Sequence, residues 1–330
     1  MHLQAPAVRV QTADIGPGVF ARLWVKGEFF DRVRDAAVAA RGRLDRAGSP
    51  FARLDWLEAA AHGPSCPLIA RARVSGAEAW LFLARTRGSR LAALGAEHAT
   101  SVGPVFLGDP DPASAQALLR AIARRLGRIG ASRVTLDPVA TPQAEAVVSA
   151  FSAAGWRVRS RPSAPTHIIE VAGRSFDDYW DARAERLHEA VAAGSRQLTV
   201  EVADRFTSGL KADVAQLASI GPFLTAIAEQ ASRTGRLRLG LARLGDAPVA
   251  VQFWLVDGAS ATAIWRVQDR EARLLCPAAQ LTAALLRYTI NVDGVARVDL
   301  GRDADLAHWG DKAEPRRRLE LSRGLFRGLV

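Results

Sequence analysis

The chain has 330 residues, 49% of them hydrophobic, and a formal net charge of +10, which supports a large core in about two domains and excludes a disordered chain. Two cysteines, Cys66 and Cys276, are too few for a disulfide framework or a zinc site, so no metal is expected. Residues 1–10 lack the pattern of a signal peptide and no apolar run reaches a membrane-spanning length, which predicts a cytoplasmic protein without a membrane span.

The first half of the sequence predicts strands alternating with helices. The expected elements are a strand at 7–15, helices at 27–46 and 49–60, a hairpin at 67–74 and 77–86, a strand at 132–136, a helix at 142–153 and a strand at 156–161. The clearest helix lies between the hairpin and the strand at 132–136. Leu118, Ile122 and Leu126 share one of its faces, and arginines lie on the opposite face. Asp137-Pro138 is expected to stop the strand at 132–136 that precedes it.

Residues 162–165 are rich in proline and are the best candidate for a linker, which divides the chain into domains at 1–163 and 164–330. The second half predicts a strand at 166–171, a helix with Phe176 and Leu187 on one face, and a helical region at 211–232 broken at Gly221-Pro222. Strands at 237–244, 248–256 and 261–267, a helix at 277–290, and strands at 296–300 and 318–322 follow.

The two halves repeat the same order of hairpin, loop, helix, glycine turn and short strand. Aligning the helices pairs identical residues at a constant offset of 164, among them Gln116 with Gln280 and Leu136 with Leu300. The same offset pairs Gly130 with Gly294, Arg133 with Arg297 and Val134 with Val298. This pattern indicates the duplication of one α/β unit.

Arginine supplies nearly all of the positive charge, since only three of the 44 basic residues are lysine. The arginines are spread along the chain, which favours solvated helix faces and argues against a dedicated nucleic-acid surface. The alternative interpretation is attraction for a polyanion such as the CoA pyrophosphate, an anionic sugar or a nucleic acid.

Four segments resemble the CelD/BioF2-like acetyltransferases of the GNAT superfamily, which are related to the FemAB-like transferases. They are SPFARLDWL at 49–57, LGDAPVAVQFW at 244–254, RLLCPAAQL at 273–281 and DGVARVDLGR at 293–302. The resemblance covers most of the chain and is most specific in the second half. It implies an α/β (α+β) fold of two tandem GNAT-like halves, each a mixed, largely antiparallel sheet flanked by helices.

The resemblance implies acetyl-CoA or another acyl-CoA as co-substrate. A helix start offers backbone N–H groups to a pyrophosphate, and proline is well placed in a first turn. The expected cradle is therefore the start of the helix at Pro277, with cofactor-binding residues Arg273, Ala278, Ala279 and Gln280. Cys276 and Ala278 depart from the serine and glycine of the family pattern. An ordinary capped helix remains the other interpretation.

The transfer needs a base to deprotonate the acceptor and donors to stabilise the oxyanion. The catalytic candidates are Asp299, part of an acidic group at a strand end, His308, a residue type that often serves as a general base, and Gln252, a polar residue in an apolar strand. The candidates for binding the acceptor are Trp265, Gln268, Arg302, Asp303, Trp309 and Lys312. Helix capping, loop solvation and a satisfied buried amide are the structural alternatives.

The resulting hypothesis is an acyl-CoA-dependent N-acyltransferase acting on an amine or hydroxyl of a small molecule or of an envelope or exopolysaccharide sugar. One alternative is a FemAB-like aminoacyl transferase that uses charged tRNA, which is the only case in which a nucleic acid is expected as a partner. The other is a non-catalytic GNAT-like protein whose cleft binds a ligand.

Overall fold

The computed structural model describes residues 25–46, 48–62, 66–74 and 76–323, so the strand expected at 7–15 lies outside the described residues. The strands are β1 Lys26–Phe30, β2 Cys66–Val74, β3 Ala77–Arg85, β4 Arg90–Ala93, β5 Val105–Leu107, β6 Arg133–Ala140, β7 Arg157–Glu170, β8 Leu198–Ala203, β9 Leu237–Leu244, β10 Ala247–Asp257, β11 Ser260–Gln268, β12 Arg297–Asp299 and β13 Lys312–Ser322. The α-helices are α1 Val33–Ala40, α2 Leu54–Ala61, α3 Pro112–Arg128, α4 Thr141–Ala153, α5 Phe176–Asp181, α6 Glu185–Ala192, α7 Ser208–Leu217, α8 Pro222–Arg233 and α9 Pro277–Asn291.

One mixed sheet runs through the molecule in the order β1-β2-β3-β4-β6-β13-β7-β12-β11-β10-β9-β8, with β5 paired to β3. Strands β1 to β4 are antiparallel neighbours and β4 pairs in parallel with β6. Strands β8 to β11 repeat this pattern, and β11 pairs in parallel with β12. The predicted mixed α/β fold and its repeated element order are confirmed.

The two halves exchange their last strands. β7 follows the first half but pairs with β12 of the second, whereas β13 ends the second half and pairs with β6 of the first. β7 and β13 also pair with each other along most of their lengths. Residues 162–165 therefore lie inside β7, and the prediction of a free linker there is wrong. The register shift between Glu314 and Arg316 accommodates the prolines, which lack an N–H for the ladder.

Several predicted bounds also change. Residues 26–30 form β1 instead of the start of a helix, because they pair with residues 69–73 of β2. Asp137-Pro138 does not end β6, since Val139 and Ala140 still pair with β13 after a register shift. The single helix expected around Phe176 and Leu187 is two short helices, α5 and α6. The helices α3, α4, α7, α8 and α9 lie close to where the sequence predicts them.

Helices cover both faces of the sheet. On the front face, α3 and α4 pack on the first half through residues such as Ile122 and Val147, and α9 packs on the second half through Leu285 and Leu286. On the back face, α1 and α2 cover the first half and α7 and α8 cover the second. Trp56 of α2 contacts Phe223 of α8 with ring centroids 5.0 Å apart, so the halves meet on this face.

Candidate functional site

A cleft opens in the second half where two parallel strands separate. β11 and β12 pair only over Ser260–Thr262 and Arg297–Asp299. Beyond that point lies a cavity of about 240 Å³, whose lining includes His98, Thr100, Trp265, Arg266, Arg302 and Asp303. The pairing of β10 with β11 shifts by one residue at Ile264, next to the cavity. Such bulges are frequent beside active sites because they redirect side chains.

Asp299 ends β12 just before Leu300 and Gly301, which line the cavity, but is not itself among the lining residues. Its carboxylate accepts hydrogen bonds from the Thr100 hydroxyl at 2.7 Å and from the backbone N–H of Gly301 at 2.9 Å. Burial raises the pKa of Asp299 above its ordinary value, although these hydrogen bonds and the nearby Arg316 and Arg297 act in the opposite direction. Asp299 is therefore a carboxyl group whose proton is held more tightly than usual.

A segment of the first half, Glu97 to Thr100, supplies one wall of the cleft. Ala99 and Thr100 are buried, and the His98 ring stacks on Phe223 of α8 at a centroid distance of 5.6 Å. Burial lowers the pKa of His98, against the opposing charge of Glu97. A neutral imidazole is available near neutral pH, so His98 can accept a proton in the cavity.

The opposite wall is strongly charged. The Arg266 guanidinium donates to Asp303, with Nε 2.9 Å from Oδ2, and its Nη2 lies 3.2 Å from Asp305. Burial would raise the pKa of Asp303, but the hydrogen bond and charge of Arg266 hold it below its usual value. Arg302 also lines the cavity, so an anionic group entering it meets at least one guanidinium.

Three of the predicted site residues, Trp265, Arg302 and Asp303, line this cavity, and the Asp303 carboxylate is already paired with Arg266. Gln252 also borders it but is 1% exposed. Its Nε2 donates to the Ala278 carbonyl and to the Thr282 hydroxyl, both at 2.9 Å, and its Oε1 accepts from Trp254. These bonds tie β10 to α9 and leave one lone pair for a ligand.

The predicted cradle at the start of α9 offers few free donors. The N–H groups of Ala279 and Gln280 already bond to the Cys276 carbonyl, at 3.0 and 3.3 Å. The Gln280 side chain is buried and donates to the Leu275 carbonyl. Arg273 is exposed, and no ion pair joins it to another residue among those that the structure describes. Among the predicted cradle residues, the Ala278 N–H and the Arg273 side chain are thus the donors available to a phosphate.

The remaining predicted residues lie outside the cavity lining. Gln268 ends β11 opposite Ala250. His308 is exposed and hydrogen-bonds Arg186 of α6. Trp309 is buried beside Trp180, and its carbonyl accepts from the Tyr179 hydroxyl at 2.7 Å. Lys312 pairs with Glu170 and Glu314 on the surface of the sheet. Burial raises the pKa of Tyr179, which fits its structural position.

His98 and Thr100 are site residues that the sequence does not predict. Both lie outside the segments that resemble known acetyltransferases, and Thr100 meets Asp299 across 199 positions of the chain. The only available signal was a short polar stretch, Glu97 to Ser101, that contains one of the six histidines.

Residues 164–311 match the family model described as an acetyltransferase (GNAT) domain. No curated protein sequence matches the chain significantly. No helix among the described residues has the length and apolar character needed to cross a membrane. Within those residues, no group of three or more His, Cys, Asp or Glu side chains is placed to hold a metal ion.

Solved structures share the fold of nearly the whole chain. The C-terminal domain of a protein described as a lysylphosphatidylglycerol synthetase from Agrobacterium fabrum is 14% identical, with a TM-score of 0.60, over 89% of this chain and 93% of that one. FemX is 12% identical, with a TM-score of 0.59, over 89% and 96%. A tandem GNAT protein from the clavulanic acid biosynthesis pathway is 15% identical, with a TM-score of 0.55, over 90% and 98%.

Proposed function

We propose that this chain, which has a GNAT acyltransferase fold, is an acyl-CoA-dependent N-acyltransferase whose reaction takes place in the cleft between β11 and β12. The observation that carries the proposal is that His98, whose pKa burial lowers, lines the cavity where these strands separate, while Asp299 accepts a hydrogen bond from the lining residue Thr100. A titratable side chain that lies in a cleft and has a shifted pKa is a candidate for acid–base chemistry.

The residues of the chain would act on the acceptor as follows. Neutral His98 accepts the proton that the acceptor amine loses as its nitrogen attacks the acyl carbonyl. The acyl-CoA supplies the acyl group as a thioester, and the thiolate that leaves takes up a proton. Asp299 holds the Thr100 hydroxyl and thereby the segment that carries His98. Arg302 and Asp303 orient polar groups of the acceptor.

The fit of the cleft to CoA is partial. Arg273 and the adjacent Arg270 are both exposed and can reach a pyrophosphate, and the Ala278 N–H adds one backbone donor. A phosphate cradle usually combines several free N–H groups at a helix start, and here two of them are already bonded. We therefore expect arginine side chains to supply most of the pyrophosphate binding.

Isothermal titration of the purified protein with acetyl-CoA and with CoA tests this proposal. Saturable one-to-one binding is expected, and Arg273→Ala should weaken it by about 10-fold or more, since one charge-assisted phosphate contact is lost. Arg120→Ala, on the exposed face of α3, is the matched control and should bind as the unchanged protein does. No binding at millimolar ligand would contradict the use of CoA.

The acceptor is proposed to be an amine or hydroxyl of a small molecule or of an envelope or exopolysaccharide sugar, modified in the cytoplasm. The polar and aromatic lining of the cavity, with Trp265 beside Arg302, supports a polar acceptor. A panel of amino sugars and amines incubated with labelled acetyl-CoA would identify the acceptor. If none of them is acylated, the results would support ligand binding by the cleft but not acyl transfer.

A second candidate, aminoacyl transfer from charged tRNA, is favoured by a surface that the sequence did not suggest. Five arginines on the back face of β4, β6 and β7 are exposed and form no ion pair with another described residue: Arg90, Arg133, Arg157, Arg159 and Arg161. They are distant in sequence, but strand pairing brings them together. Register also places the three in β7 on the face of Asp299.

Binding of a tRNA acceptor-stem duplex at several salt concentrations tests this candidate. Each phosphate contact contributes about 0.9 to the slope of log K against log salt, so replacing Arg157, Arg159 and Arg161 with glutamine should reduce the slope by about 2 to 3. The control replaces Arg120, Arg124 and Arg128 of α3, which carry the same charge on another exposed surface. Equal effects of the two triple variants would refute specific use of this face.

A cleft that binds ligand but transfers nothing from either donor would indicate a non-catalytic protein.

A further inference from the structure

Arg316 is a buried arginine in the middle of β13, the strand exchanged between the halves. Only 7% of it is exposed, and its Nε donates to the backbone carbonyl of Thr100 at 2.9 Å. The other end of its guanidinium lies 3.4 Å from a carboxylate oxygen of Glu314 on the same strand. Arg316 thus joins the last described strand to a segment of the first half that is 216 positions away.

The residue that Arg316 holds is itself in contact with the candidate site. Thr100 is 4% exposed and donates its hydroxyl to Asp299 at 2.7 Å. Two positions before it, His98 enters the cavity and stacks on Phe223. The neighbouring Val102 N–H bonds to the Pro138 carbonyl, so the segment is fixed at one end to the first half. Arg316 fixes it beside the second half.

We infer that Arg316 is a positioning residue, which holds the segment Glu97 to Thr100 over the cleft so that His98 faces the reacting groups and Thr100 meets Asp299. This inference rests on the proposed function only in naming what the segment faces. The contacts themselves join three elements, β13, the segment and β12. Arg316 does not line the cavity, so it acts through the segment and not on substrate.

Arginine suits this position for two reasons. A guanidinium presents five donors in a fixed plane, so one group can serve the Thr100 carbonyl and the Glu314 carboxylate together. A guanidinium is also more weakly hydrated than an ammonium, so it suits a buried position better. Lysine could make only some of these hydrogen bonds, because its ammonium group is one compact charge at the end of a flexible side chain.

The experiment compares Arg316→Met and Arg316→Lys with the control Arg318→Met. Arg318 lies two positions along the same face of β13 and pairs with Asp137 and Glu320, but does not contact the segment. The readout is the titration of His98 by NMR, assigned with a His98→Gln sample, together with kcat and KM. Glu97, Arg266, Arg302 and Asp303 are the charged groups near the ring and remain in all the variants.

In Arg316→Met we expect the segment to move and expose His98, so the pKa of His98 should return towards 6.5. We expect kcat to fall about 10- to 100-fold with KM little changed, because a misplaced base costs rate more than binding. Arg316→Lys should recover part of the change in the His98 pKa and part of the loss in kcat. Arg318→Met should alter neither the His98 pKa nor kcat.

An unchanged His98 titration in Arg316→Met would overturn the inference, as would an equal shift in Arg318→Met. If Arg316→Met fails to fold, the Arg316→Lys sample decides, since it keeps the charge and is expected to show a smaller shift in the same direction. If the titration shifts as expected but the unchanged protein transfers no acyl group, the inference stands and the proposed function fails.

Discussion

The two halves contain equivalent clefts that differ in what fills them. By the offset of 164, Leu300 at the second cleft corresponds to Leu136, which lines a cavity of about 70 Å³ in the first half. That smaller cavity is closed by side chains such as Phe51, Val102 and Pro104. The second cleft, at about 240 Å³, is bordered instead by His98 and charged residues.

The difference shows how one copy of a duplicated unit can serve the other. Both clefts arise from the same separation of two parallel strands, so the backbone pattern alone does not decide which one can bind. The polypeptide after β4 fills the first cleft with Val102 and Pro104 and reaches the second with His98 and Thr100. The first half thus contributes a wall to the site of the second.

The largest expected effect comes from replacing the proposed base, His98, in the second cleft. His98→Gln should lower kcat by about 10²- to 10⁴-fold, because general-base catalysis contributes that much. The acid limb of the kcat/KM profile of the unchanged protein should have its midpoint below pH 6.5, since burial lowers the pKa of His98, and the limb should vanish in the variant.

The matched control for that prediction lies in the other cleft. Gln143 lines the small cavity of the first half, so Gln143→Ala should leave kcat and the pH profile unchanged. A comparable loss of activity in both variants would show that the two clefts do not divide the work as the geometry indicates.

A second prediction concerns the contact that joins the halves. Trp56 is 1% exposed, packs between Phe51 and Phe223, and donates to the Gly95 carbonyl at 3.2 Å. Trp56→Ala should cost about 3 to 5 kcal/mol in the free energy of unfolding, measured in urea, because it leaves a large cavity. Phe151→Ala, buried within the first half alone, should cost a similar amount without altering the NMR signal of His98.

The smallest expected effect is on stability at Asp299. Its raised pKa means that the folded state keeps a proton that the unfolded state has lost, so stability falls as pH rises from 3.8 through the folded pKa. Asp299→Asn removes this penalty, about 1.4 kcal/mol for each unit of raised pKa. The variant should therefore gain relative stability between pH 4 and pH 7 in urea unfolding, and a gain that is equal at both pH values would contradict the assignment.

Much of the fold could be predicted because it is local. The apolar stripe of α3 and the proline at the start of α9 each fix an element within a few turns of chain. Register and pairing partner are not local. The residues of β1 were predicted to start a helix. Their composition alone does not reveal that they pair with β2, 40 residues later. The exchange of β7 and β13 likewise depends on contacts between distant segments.

The candidate site was predicted on one side only. Trp265 lies in β11, and Arg302 and Asp303 follow β12, all in the half that resembles acetyltransferases, where α/β sheets commonly bind ligands. His98 and Thr100 were missed because their partners come from the other half. The arginines of β4, β6 and β7 seemed scattered for the same reason, since only the sheet order makes them neighbours.

The exchanged strands also set an order of events during synthesis. When the first half has left the ribosome, the edge of β6 has no neighbour, because its partner β13 begins at Lys312. At typical elongation rates that edge waits roughly ten to thirty seconds. An open strand edge is a template for association with other chains, so nascent chains truncated before Lys312 should require chaperones or aggregate. Strand β13 therefore completes the first half as well as the second.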